Sequence, residues 1–342
     1  MRGKSYIFFA LLLICVSCQP SAGTKSYDVG FTISQADDTT HITVYSPWQE
    51  KQIMAQYAIS QPLERVVCTS ATHIGFLHEL GLTDKIVGTC RPERIYNLNQ
   101  EQRNRIVDIG DDIQPNMETI LLLQPDAVII STYAEGDPVP QQIEALGIPV
   151  IYCNEWTETT PLSRAEWIRF FGALFGCQNH ADSVFASVKD AYEQFKVDSL
   201  KLKGRSIMSG MSFRGTWYVP AGGTFMGQLF YDTGASYRYE NNPSTSSIPL
   251  TIEQALQDFA EADVWVGCEA STLKELETID PKHRWFKAFQ NQQVYNFRRR
   301  ALPSGANDFW ESGVVHPERI LQDLQLILTG DTTQLYYSSS LR

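Results

Sequence analysis

The sequence predicts an α/β protein of two lobes. Each lobe has a mainly parallel sheet flanked by helices, a long interlobe helix joins them, and an N-terminal β-hairpin precedes them. Three observations predict this. From Leu63 onward, short apolar runs alternate with helical segments, the pattern of parallel strands linked by crossover helices. One amphipathic stretch without proline, from Ala181 to about Lys203, interrupts the alternation. The same unit also occurs on either side of that stretch, NMETIL with QPDAV from Asn116 and TIEQAL with EADV from Thr251. Each is a capped helix with an early glutamate, followed by an aspartate that opens a strand.

The elements follow in order. Arg2 and Lys4 precede an apolar run, Tyr6 to Val16, that is too short to span a bilayer. Small residues and Cys18 come next, so residues 1–18 read as a lipoprotein signal peptide ending in a lipidated Cys18. Residues 19–62 hold a polar tether and the hairpin, whose strands flank Asp37-Asp38. Residues 63–160 form the N-terminal lobe. Its expected strands are Arg65–Cys68, Lys85–Gly88, Ala127–Ile130 and Pro149–Tyr152, and its helices are Thr72–Leu80, Met117–Leu123 and Gln141–Leu146. Gly81 and Gly147 stop two of these helices. Residues 161–203 are the interlobe helix region: a helix over Ala165–Phe175, then apolar residues from Ala181 to Phe195 at three- and four-residue steps. A helix of ~25 residues spans ~37 Å. Residues 204–330 form the C-terminal lobe, with strands at Arg205–Gly210, Asp263–Val266 and Gln293–Phe297 and helices at Thr224–Gly234, Ile252–Phe259 and Pro317–Leu328. Residues 331–342 read as a frayed tail.

Bulk properties narrow the function. The net charge of −11 argues against nucleic-acid binding, which needs a basic footprint. The sequence contains no G-x-S-x-G, P-loop, H-E-x-x-H or post-strand G-x-G-x-x-G, so it carries none of those enzyme signatures. Beyond the signal, Cys68, Cys90, Cys153, Cys177 and Cys268 are odd in number, leaving at least one thiol free or paired with another chain. Four of them close apolar runs and read as small buried residues at strand ends. A thiolate metal site of Cys68, Cys90 and Cys153 with His73 is the alternative, but strand ends alone do not supply tetrahedral geometry. No metal ligand set is therefore expected.

Four segments then carry a resemblance: RVVCTSATHIGFLHELGLTDKIVG, PNMETILLLQPDAVIIS, IEALGIPVIY and LTIEQALQDFAEADVWV. In this order, between about Leu63 and Gly330, they resemble the periplasmic binding proteins for iron siderophores, haem and vitamin B12. The hairpin lies outside the resemblance. The resemblance implies a monomeric binding lipoprotein on the periplasmic side of the envelope, without a cofactor. It also implies a metal chelate as ligand and an ABC permease with its ATPase as partners. Glu118 and Glu253 match the acids that dock such proteins onto the permease. The alternative is a surface-anchored scavenger or sensory module that works without a permease.

Ligands of α/β sheets bind beyond the carboxyl ends of the strands, and two facing lobes make that a cleft. The loops there nominate Arg91, Trp156, Arg214, Trp217, Tyr218, Arg298, Arg299, Asn307 and Trp310 as ligand-binding residues. Their rings suit a corrin, a porphyrin or aromatic siderophore arms. Their guanidinium groups suit an anionic chelate. Six scattered histidines, of which only His73 falls in such a loop, disfavour a bare metal ion.

Overall fold

The computed structural model describes residues 29–198 and 204–342. Cys18, the signal segment and the tether lie outside the described residues.

The first-lobe sheet is built on strands whose residues are buried on both faces: β4 (Val66–Cys68) and β7 (Ala127–Ile130) are at most 1% exposed. Such runs fill the middle of a parallel sheet covered by helices. With β5 (Ile86–Thr89), β6 (Val107–Asp108) and β8 (Val150–Tyr152) the order is β6-β5-β4-β7-β8, all parallel. The crossovers are α1 (Ala71–Glu79), α2 (Gln100–Arg105), α3 (Met117–Leu123) and α4 (Pro138–Ala145). Side chains cap all four: Ser70 accepts from the N–H of Thr72, Asn99 from Gln102, Asn116 from Thr119 and Asp137 from Val139.

The second lobe repeats the plan less regularly. β12 (Ser236–Tyr237), β9 (Ser206–Ser209), β14 (Val264–Val266) and β15 (Val294–Asn296) pair in parallel, and β16 (Ser339–Ser340) closes the edge antiparallel. A side sheet of β10 (Ser212–Phe213), β11 (Thr216–Pro220) and β13 (Ser247–Leu250) lies beside it. The helices are α7 (Phe225–Asp232), α8 (Ile252–Phe259), α9 (Leu273–Ile279), α10 (Lys287–Gln290), α11 (Ser312–Val315) and α12 (Pro317–Thr329).

Two expectations need correction. Residues 331–342 are not a frayed tail. Tyr337 and Leu341 are buried, and Asp323 of α12 accepts the N–H groups of Tyr336, Tyr337 and Ser338 at 2.6–2.8 Å. The N-terminal unit is a three-stranded meander rather than a hairpin: β1 (Phe31–Ala36), β2 (Thr39–Tyr45) and β3 (Ile53–Ile59). The expected turn is present, with Asp37 in the left-handed region at φ 50°. The interlobe region holds the helix expected over Ala165–Phe175 and the longer one expected after it, as α5 (Pro161–Leu174) and α6 (Gln178–Asp198), packed on each other with Gly176 between them at φ 68°.

α5 is buried along almost its whole length, so it is the central support of the molecule. Phe31 of β1 stacks edge-on against its Trp167 and Phe170, with centroids at 4.9 and 5.6 Å. α6 reaches the second lobe, where the Tyr192 hydroxyl donates to Asp232 at 2.7 Å.

Behind the helices the lobes meet in a seam. α11 packs on α1, and the Glu311 carboxylate accepts the backbone N–H groups of Tyr96 and Asn97. His316 lies 2.9 Å from Glu79 and 2.8 Å from Glu318. Burial opposes charge on His316, but the two carboxylates outweigh it and hold the ring above its usual range. Burial pushes Glu311 up to about 7, against the pull of its two N–H donors.

Candidate ligand cleft

The loops beyond β7 and β8 meet α7 and the loop before α11 across a cleft of about 500 Å³. Its first-lobe wall is aromatic. Trp156 sits on a helical turn after β8 and is 39% exposed, and Tyr133 sits after β7 and is 50% exposed. Their ring centroids are 5.7 Å apart, inclined at 35°. Trp48, from the loop between β2 and β3, adds a third ring 6.3 Å from Trp156. The opposite wall holds Phe225, Met226 and Trp310. Trp310 stands edge-on to Phe309 at 4.8 Å, and Phe309 is stacked on Phe297 at 4.4 Å, so a column of rings positions the exposed one. Past Pro220 and Ser247 the cleft continues into a recess of about 190 Å³ lined by Tyr218, Arg298 and Asn307. Clustered exposed rings of this kind mark binding surfaces.

Five of the nine nominated residues therefore come together: Trp156, Tyr218, Arg298, Asn307 and Trp310. Asn307 is committed to its own loop, since its amide donates to Phe297 O and accepts from Phe309 N. Trp217 is a correction. It is fully buried, donates its Nε1–H to Ser209 O at 3.0 Å, and packs against Trp265, His283 and Phe286. Successive residues of a strand face opposite ways, so in β11 Trp217 faces the core while Tyr218 faces the recess.

The cationic cluster is also a correction, because most of its charges are taken. Arg298 pairs with Glu269 at 3.3 Å and Arg300 with Asp308 at 2.6 Å, and Arg91 pairs with Asp111. Arg214 lies over the ring of Phe213 at 5.1 Å on the exposed β10–β11 turn. Arg91, Arg214 and Arg299 line neither the cleft nor the recess.

Among the cleft residues that the sequence reading did not nominate are Trp48, Arg164 and Phe225. Trp48 sits in a unit outside any recognised pattern, and Arg164 reads as an ordinary helix residue. In the fold Arg164 lies in the first turn of α5, only 7% exposed, with Nη2 3.2 Å from Glu155 Oε1 and its guanidinium 5.1 Å from the Phe225 centroid.

Beneath the aromatic wall lies the one group of potential metal ligands found among the described residues: His73, Cys153 and Glu155, with ligand atoms within 4.8 Å of one another. It shares Cys153 and His73 with the thiolate alternative, but Glu155 replaces Cys68 and Cys90. His73 Nε2 lies 3.1 Å from Ser131 Oγ and 3.3 Å from Cys153 O. Burial holds the His73 ring below its usual range and the Cys153 thiol well above its own. The Arg164 guanidinium on Glu155 would oppose a cation entering here. Cys68, Cys90, Cys153, Cys177 and Cys268 are all free.

Glu118 and Glu253 are exposed in the first turns of α3 and α8, and Glu253 pairs with Lys282 at 2.6 Å. That lysine holds the Glu253 carboxyl below its usual range.

Two α/β lobes with an open, ring-lined cleft between them define a bilobal ligand-binding protein. The chain belongs to the periplasmic binding protein family, whose profile matches residues 66–301. An uncharacterized lipoprotein of Methanocaldococcus jannaschii is 23% identical over 296 residues, covering 82% of this chain and 69% of that protein. Among solved structures, a periplasmic heme binding protein from Pseudomonas aeruginosa superimposes with a TM-score of 0.63 at 15% identity, covering 82% of this chain and 98% of that one. An ABC-type Fe3+-hydroxamate transport system from Saccharomonospora viridis gives a TM-score of 0.60 at 18% identity, with coverage of 81% and 96%. The family and both structures are named for binding or transport.

Proposed function

We propose that the protein is the capture component of an ABC importer, taking a metal chelate into the interlobe cleft and delivering it to a membrane permease. The observation that carries this reading is the wall of Trp48, Tyr133 and Trp156 facing Trp310 across about 500 Å³. Flat faces held open on both sides suit a planar or aromatic chelate. The similar structures support the reading through their named ligands, heme and an Fe3+-hydroxamate. The chain without residues 1–18 should show saturable tryptophan quenching with haemin, a ferric hydroxamate or cobalamin. Trp156→Ala should weaken that binding roughly two- to ten-fold, the worth of one aromatic contact, with little loss of stability because the ring is part-exposed. No quenching by any of the three would overturn the chelate reading.

A lipid on Cys18 anchors the protein in this reading, supported by the lipoprotein relative. Cys18→Ser should move the chain to the soluble fraction. Retention of the variant in membranes with unchanged mass would refute the anchor. Glu118 and Glu253, each exposed in the first turn of its helix, dock onto the permease in this reading.

A further inference from the structure

The meander of β1, β2 and β3 lies outside residues 66–301, the part of the chain that matches the family, yet it is built onto the first lobe. Phe31 packs against α5, the Tyr152 N–H donates to the Tyr57 hydroxyl at 2.9 Å, and Asn154 Nδ2 lies 3.6 Å from Met54 Sδ. The loop between β2 and β3 is ordered as well. The Ser46 N–H closes its base by donating to Gln52 O at 2.7 Å. The Ser46 hydroxyl accepts from the N–H groups of Trp48 and Gln49, both at 3.2 Å. Gln49 bonds Glu135, in the loop between β7 and α4. These bonds fix the loop that brings Pro47 and Trp48 to the cleft. Behind the loop, between the meander and the first lobe, lies a second space of about 420 Å³, with Met54, Thr132 and Tyr152 among its walls. Among the described residues Trp48 alone lines both this space and the cleft.

From that shared wall we infer that the meander is a specificity module, and that Trp48 is its partition: the indole closes one end of the ligand space and sets the largest chelate that fits. The inference rests on the chelate reading and adds the size class of the ligand. Core packing does not account for this ring. Trp167, Trp217 and Trp265 are at most 1% exposed, whereas Trp48 is part-exposed and meets Trp156 edge-on at 6.3 Å. A side chain with open space on one side forgoes the contacts that packing would supply. A partition works by exclusion, since selectivity comes from clashes with the wrong ligand as well as contacts with the right one. Exclusion needs a wall that does not yield, and the bonds of Ser46 and Gln49 supply it. Truncating the indole joins the cleft to the space behind it and admits a bulkier body.

The test uses pairs matched in charge and different in size, titrated calorimetrically into the chain without residues 1–18. These are the dimethyl and dibenzyl esters of haemin, dicyanocobinamide and cyanocobalamin, and ferrioxamine B with its amine acetylated or naphthoylated. For whichever body binds, wild type should hold the compact member about ten-fold tighter or more, the usual penalty of a misfit in a shaped pocket. Trp48→Ala should lower that ratio several-fold by tightening the larger member, while the compact member binds no tighter. Trp48→Phe should lower it by less, and it serves as the variant if Trp48→Ala fails to fold. A ring that only contacts ligand would instead weaken both members on truncation and leave the ratio unchanged. That result, or a wild-type ratio near one, overturns the partition and leaves the chelate reading standing. Binding of none of the six removes the chelate reading and the partition with it.

Discussion

Replacing Gly75 with alanine should destabilise the protein by about 1–3 kcal/mol, the usual effect of overfilling a packed contact. Two effects oppose each other. Alanine is the better helix former by roughly 1 kcal/mol, and Gly75 sits inside α1. Against that, a Cβ at position 75 would lie 2.3 Å from the carbonyl oxygen of Glu311 and 2.6 Å from its carbonyl carbon. Both are backbone atoms, so no rotamer change relieves the clash. Any shift of Glu311 also pulls its carboxylate from the N–H groups of Tyr96 and Asn97. The clash should win, and urea unfolding of the two proteins measures the difference. An alanine variant as stable as wild type would mean that the seam yields and that the lobes are not held by this contact.

Glu118→Gln combined with Glu253→Gln should lower uptake severalfold in cells carrying the partner permease, while ligand affinity and melting temperature barely change. Exposed charges at an interface act mainly on orientation and partner choice. The two positions are not equivalent. Glu253 is held by Lys282 at 2.6 Å and must leave it to meet the permease. The single Glu118→Gln variant should therefore reduce uptake more than the single Glu253→Gln variant. Full uptake by the double variant would leave both acids as first-turn helix stabilisers and remove the docking assignment.

The parts of the fold that were legible in the sequence are those fixed by local chemistry. Ala127–Ile130, Met117–Leu123 and Ile252–Phe259 appear with the bounds that their apolar runs and caps specify. What escaped depends on partners far along the chain. Nothing near Tyr336-Tyr337 signals that Asp323 will gather their N–H groups. Arg298 and Arg91 look like free cations until folding brings Glu269 and Asp111 beside them. Trp217 and Tyr218 are adjacent rings, and only the pairing of β11 with β13 decides which one reaches the ligand space. Arg164 reads as one more polar residue of a helix start. Only the surrounding walls, supplied by six separate stretches of chain, make it part of a site.

The attachment of the meander has a consequence for delivery. Gly30 is bonded to Glu158, a residue of the cleft, so the described part of the chain begins beside the cleft. Residues 19–30 extend to at most roughly 40 Å even when drawn straight. With a lipid on Cys18, as proposed, the mouth stays within that distance of the bilayer while the back of the molecule is free to swing outward. Encounter with a permease then becomes a search over a thin layer of membrane surface, at a local concentration set by tether length. Lengthening the segment before Gly30 would dilute that search without touching the ligand site.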